Sequence, residues 1–205
     1  QNRVAVIGLG TGTLACYARP GQHWIFYEID PAVARIAHDP RYFTFLDNCP
    51  AEVRVILGDG RLSLAQAPDR HFDLIVLDVF SSDSIPVHFL TQEALRLYLA
   101  KLSDGGILLF HISNKFLDLK PVLGDLAGRM GLACFVRDDS HWNPAEERVK
   151  KIGSVWAVMA RQRSDLGRLP QDERWKTLRG RAEARPWTDD FSNILSVFKW
   201  SSSKF

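Results

Sequence analysis

Four carboxylates in this chain stand where a carboxylate can do more than solvate a surface. Glu28, Asp59 and Asp78 each follow a short apolar run, and Asp83 lies in the polar loop Ser81-Ser82-Asp83-Ser84. Ahead of them comes Gly8-Leu9-Gly10-Thr11-Gly12, directly after the run Val4-Ala5-Val6-Ile7. Glycines at such a place let the backbone approach a ligand closely, and the helix start that follows offers free N–H groups. A carboxylate at the end of a second strand can accept hydrogen bonds from both hydroxyls of a ribose. One inside Gly58-Asp59-Gly60 can accept from the amino group of an adenine. Taken alone, Asp59 reads as a turn residue, and Glu28 alone fits a dinucleotide site equally well. Together with the glycines they imply a nucleoside site, with Gly8, Gly10, Thr11, Gly12, Glu28, Asp59 and Gly60 as its binding residues.

Asp78 and Asp83 suit a different task. Beside a cationic ligand, a carboxylate can orient an amine or take its proton, so that the nitrogen lone pair becomes a nucleophile. Asp78 terminates a strand and is the better placed of the two. Asp83 reads as readily as a turn or cap residue. His88 titrates in a useful range but is assigned a structural role.

These residues need a scaffold that brings strand ends together. The apolar runs predict strands at 4–7, 23–27, 53–57, 72–77 and 106–112, and helices at 12–19, 31–38, 62–66, 92–102 and 119–130. A last strand pair is expected at 132–136 and 154–160. Asp30 and Thr91 are the expected helix caps, with Pro31 in the first turn. Strand and helix alternate five times, which predicts an α/β fold: a doubly wound, mostly parallel Rossmann-like sheet with antiparallel strands at its end. In such sheets ligands bind at the carboxyl ends of the strands. The 205 residues, 46% of them hydrophobic, suffice for one domain over 1–205 and not for two.

Composition removes several classes. The 26 basic and 24 acidic residues form no long basic stripe, which argues against a nucleic-acid partner. The basic stretch from Arg161 to Arg185 is interleaved with acids and reads as a solvated connector. Cys16, Cys49 and Cys134 show neither CxxC spacing nor a disulfide framework, which suits a reducing compartment. The histidines make no metal-ligand pair, so no metal is expected. No apolar run approaches a membrane span. The chain opens almost at once into a strand, and the expectation is that the natural protein continues upstream of Gln1.

The order of these motifs resembles the spermidine synthase (polyamine aminopropyltransferase) family. It shares the compact GxGxG loop associated with adenosylmethionine enzymes, the strand-end Glu28, Gly58-Asp59-Gly60, and Asp78 with its Ser/Asp/Pro loop. The phrases Asp78-Val79-Phe80-Ser81-Ser82-Asp83-Ser84-Ile85-Pro86-Val87-His88 and Trp187-Thr188-Asp189-Asp190-Phe191-Ser192-Asn193 are similar to bacterial spermidine-synthase-like proteins, whose domain often follows a membrane-embedded segment. The resemblance implies a class I methyltransferase-type fold, and Glu28 on ribose, Asp59 on adenine and Asp78 as base. It implies a transferase moving an aminopropyl group from decarboxylated S-adenosylmethionine to an amine such as putrescine.

It further implies a cytoplasmic location, with an upstream membrane tether and a homodimer left open. Two positions depart from the family: Thr11 stands where synthases carry an acid in the glycine loop, and Ser81 where they carry a second aspartate. The amino-terminal β-domain of the family has no counterpart in the sequence. An S-adenosylmethionine-dependent methyltransferase and a non-catalytic nucleoside-binding regulatory domain are the alternatives. An NAD-dependent dehydrogenase is disfavoured, because the dinucleotide fingerprint wants glycine where Thr13 stands. The Asp189-Asp190 pair is expected to border the acceptor pocket, and the segment from Asp138 to Trp142 to be a surface turn.

Overall fold

The computed structural model describes residues 2–79, 86–140, 153–181 and 184–199. The backbone clusters into two compact units, Gln1–Val79 with Leu97–Leu108, and Phe80–Arg96 with Leu109–Phe205.

The first unit is built on parallel strands. β1 (Arg3–Ile7) lies between β2 (His23–Glu28) and β4 (Phe72–Leu77), and β3 (Glu52–Leu57) pairs with β2. Val4, Ala5, Val6 and Ile7 are all buried, as an apolar run covered on both faces requires. α1 (Pro31–Ala37) starts as expected, with the Asp30 carboxylate accepting from Ala32 N–H at 2.7 Å. α2 (Gly60–Ala65) begins two residues before the expected helix.

The segment after the glycine loop departs from expectation. It is a five-residue 3₁₀ helix, Thr13–Tyr17, instead of an α-helix over 12–19. Its bonds run Ala15 N–H to the Gly12 carbonyl and Ala18 N–H to the Ala15 carbonyl. Held between a left-handed Gly12 and an already extended Ala18, the chain closes only the tighter turn.

α3 (Gln92–Lys101) leads directly into β5 (Leu102–His111). That strand starts four residues earlier than the pattern suggests. Ser103 donates to the Asp73 carboxylate at 2.8 Å, and His71 N–H reaches the Lys101 carbonyl, so a polar stretch that reads as a turn is held against β4.

The second unit contains the end of β5, α4 (Lys120–Met130), β6 (Ala133–Asp138), β7 (Val155–Ala160) and β8 (Lys176–Thr177). β6 runs antiparallel to both β7 and β8. The eight strands are ordered β3-β2-β1-β4-β5-β7-β6-β8, the mixed sheet with antiparallel final strands that the alternation predicts.

The stretch from Arg161 to Arg185 is not merely a solvated connector. It supplies β8, and its Gly180 meets α4 so closely that a Cβ there would lie 2.7 Å from the Gly124 carbonyl oxygen. The buried Asp125 accepts from Arg181 through the backbone N–H at 2.7 Å and through the guanidinium at 2.6 and 3.1 Å. A charge at that depth needs such a partner. The carboxyl-terminal segment is likewise anchored. Thr91 caps α3 and donates to Asp189 at 2.6 Å, while Asp189 N–H reaches Glu93 at 3.0 Å.

Among the described residues no helix is long and apolar enough to cross a membrane. Cys134 is buried in β6, and burial pushes its thiol up to about 12. The thiolate is the reactive form. With Ellman's reagent at pH 8, the exposed Cys16 is expected to react in the folded protein and Cys134 only after denaturant is added. Mass spectrometry of the labelled peptides checks the assignment.

Candidate functional site

The candidate site belongs to the first unit, and the strand ladder assembles it. Ile7 pairs with both Tyr27 and Leu77, so β1 and β4 end level and β2 runs one residue further, to Glu28. Beyond Ile7 the ladder continues for one rung on each side. Gly8 N–H donates to the Tyr27 carbonyl at 2.9 Å, and Asp78 N–H to the Ile7 carbonyl at 2.8 Å. On the far side of β2, Gly58 N–H reaches the Glu28 carbonyl at 2.8 Å. Gly8, Glu28, Gly58 and Asp78 therefore leave neighbouring strand tips at one edge.

Gly8 has φ +95°, and a Cβ on it would lie 2.4 Å from the Asp78 carbonyl oxygen. No other residue type fits there without moving backbone. Gly10 and Gly12 also have positive φ; Gly10 faces open space, whereas Gly12 lies against Leu46. The Thr11 hydroxyl is 2.6 Å from that of Thr13, so the loop position that distinguishes this sequence carries a neutral, internally bonded group.

Glu28 joins β2 to the glycine loop. One carboxylate oxygen accepts from Leu9 N–H at 3.0 Å and the other from Asp30 N–H at 2.9 Å. The residue is 8% exposed, a depth at which a carboxylate survives only when its oxygens are hydrogen-bonded. Each oxygen retains a second lone pair, which is the acceptor capacity that a ribose diol would use.

Asp59 is half-buried and caps α2, accepting from Leu62 N–H at 2.8 Å. The turn chemistry weighed for it in the sequence is thus present. Gly60 has a packing task, since a Cβ on it would sit 2.3 Å from Ile7 Cγ2. Asp78 is half-buried and follows β4 as expected. Asp83 lies outside the described residues, as do His141 and Trp142.

Sequence reasoning passed over Ile29, Leu57 and Leu62. They are 70%, 55% and 69% exposed at the same edge as Glu28 and Asp59, and together they offer apolar surface beside the polar groups. The signal was available in Ile29, a large aliphatic placed next to a strand-end acid. Among the described residues no group of His, Cys, Asp and Glu is arranged to hold a metal ion.

Comparison with known structures defines the class. The fold is similar to a SAM-dependent methyltransferase from Archaeoglobus fulgidus, with TM-score 0.53 and 14% identity over 78% of this chain and 86% of that one. It is also similar to the spermidine synthase of Thermotoga maritima, with TM-score 0.56 and 14% identity over 98% of this chain and 66% of that one. The chain thus has the methyltransferase-type α/β fold of these enzymes. No protein-family model matches it. In sequence it is 36% identical over 119 residues to the polyamine aminopropyltransferase of Vibrio vulnificus, a match covering 56% of this chain and 38% of that protein. The chain is thus similar to an aminopropyltransferase in sequence and to spermidine synthases in fold, as its motifs suggest, and spans well under half the length of this relative.

The double use of Glu28 makes a sharp prediction. In Glu28→Gln the amide NH₂ faces one of two backbone N–H donors, so one buried group loses its partner, at a cost of about 1–3 kcal/mol. Urea denaturation is expected to show a lower midpoint with an unchanged slope. An unaltered midpoint would mean that the carboxylate does not hold the loop.

Proposed function

We propose that this protein is a transferase that moves an aminopropyl group from decarboxylated S-adenosylmethionine to an amine acceptor. The observation that carries this reading is the shared rung Tyr27–Ile7–Leu77 near the ends of β2, β1 and β4, which sets the glycine turn between Glu28 and Asp78. In the proposed complex the Glu28 carboxylate accepts from the ribose hydroxyls. Asp59 accepts from the adenine amino group, and Ile29 and Leu62 cover the base. The glycine loop, with Thr11, lies along the donor's tail, and Gly60 lets α2 start close beneath it. The similarity to aminopropyltransferases supports the same assignment.

The chemistry asks mainly for position and a base. The acceptor nitrogen attacks the carbon beside the sulfonium as its lone pair forms the new C–N bond. The C–S bond breaks, its electron pair returns to sulfur, and neutral methylthioadenosine leaves. The Asp78 carboxylate takes the proton that the amine gives up, and Asp83 is proposed to help orient the acceptor. No metal enters this step. The reading places the protein in the cytoplasm, free or tethered to an upstream membrane segment.

A methyltransferase using intact S-adenosylmethionine is the second reading, and Thr11 favours it. A neutral hydroxyl accepts a donor that keeps its carboxylate, whereas an acid at that position would repel it.

Three measurements test these assignments. By titration calorimetry methylthioadenosine is expected to bind and NAD not to; the reverse would remove the sulfonium-nucleoside reading. Asp78→Asn is expected to slow methylthioadenosine release with an amine panel by roughly 10²–10⁴-fold, the usual contribution of a positioned base. Turnover equal to the parent's would take Asp78 out of that role. Thr11→Asp is expected to shift preference toward the decarboxylated donor, and competition between the two donors reads this directly.

A further inference from the structure

The second unit contains a cavity of about 470 Å³, within the ~300–1,000 Å³ typical of small-molecule sites. His111 at the end of β5, Asp138 at the end of β6, and Asp118, Lys120, Lys115 and Lys199 are among its lining residues. Three lysines and two aspartates thus line it, the Lys115 ammonium lying over the Phe116 ring. Both carboxylates are drawn to the same lysine: Lys120 Nζ lies 3.0 Å from Asp138 and 3.9 Å from Asp118.

Lys199 is delivered to this cavity by backbone structure. Leu117 and Phe198 form an antiparallel bridge, Asp118 N–H reaches the Val197 carbonyl at 2.8 Å, and Lys199 N–H reaches the Phe116 carbonyl at 2.8 Å. Lys199 Nζ spends one donor on the Asn114 carbonyl at 2.9 Å. Among the described residues it points none at a carboxylate. An ammonium has three donors, so two remain for whatever enters.

We propose that this cavity is a binding site for a small organic carboxylate, gripped by the ammonium groups of Lys199 and Lys120. A carboxylate matches the open donors of Lys199, and charge-assisted hydrogen bonds of this type are about twice as strong as neutral ones. A linear diamine would bring two more ammonium groups to the ammonium of Lys199, which offers donors and no acceptor. All the residues that carry the proposal lie in the second unit, and the test reads binding alone, so it stands apart from the nucleoside reading.

The test is titration calorimetry of the whole chain at low ionic strength with succinate, inorganic phosphate and putrescine. Succinate is expected to bind and putrescine not to. Lys199→Gln and Lys120→Gln are each expected to weaken succinate at least about tenfold, the scale of one lost charge-assisted hydrogen bond. Lys199→Arg is expected to retain it. Thermal melts confirm that each variant folds; should Lys120→Gln fail to, Lys199→Gln alone decides. Absence of succinate binding, binding of phosphate or putrescine in its place, or parental affinity in Lys199→Gln would each overturn the proposal.

Discussion

The candidate site depends first on the register of β1 between two parallel neighbours. Ile7 stands opposite both Tyr27 and Leu77, so each of the three strands presents its next residue at one edge. A slip of one residue would turn every side chain of β1 to the opposite face. Burial of both faces removes the usual amphipathic signal for register, leaving side-chain packing to set it. Gly60 contributes here, because α2 can rest on Ile7 only where no Cβ intervenes. Ile7 is therefore gripped from both ladders and from above, at the position from which the glycine loop departs.

Glu28 converts that register into a shaped loop. Its two oxygens tie Leu9 N–H on one side and Asp30 N–H on the other, so one buried carboxylate fixes the loop after β1 and the start of α1 together. Two charge-assisted bonds offset the cost of desolvating the anion. In the proposed complex this acceptor is thereby held before the ligand arrives, and little ordering remains to be done on binding.

Much of this was legible in the sequence, because the signals were local. Val4 to Ile7 could only be a covered strand, positive-φ glycines followed it, and Asp30 with Pro31 announced a helix. What escaped notice depended on distant partners. The 3₁₀ geometry of Thr13–Tyr17 comes from the constraint at both ends of a short segment, which no propensity encodes. β8 is two residues long and exists because β6 leaves an edge to pair with. The tight contact of Gly180 with Gly124 and the Arg181–Asp125 pair link positions more than fifty residues apart, so the stretch that holds them reads as solvated charge. Asp59 shows a different limit: a helix cap and an adenine acceptor want the same residue in the same turn, and of these two tasks the cap is the one the fold displays.

Donor discrimination follows a similar logic. Ribose and adenine are common to every adenosyl donor, so in the proposed complex Glu28, Asp59 and the apolar edge do not distinguish among them. Selectivity must come from groups that meet the donor's tail. In the proposed complex the loop offers Thr11 there, whose hydroxyl is bonded to Thr13 and carries no charge. A carboxylate at that position would interact with a donor carboxylate or ammonium by about 1–4 kcal/mol at 4 Å, depending on solvent access, and a hydroxyl forgoes both the penalty and the gain. On that proposal the glycine loop is permissive toward either donor. On the same proposal the choice of reaction falls to the acceptor side, where Asp78 is assigned the role of base.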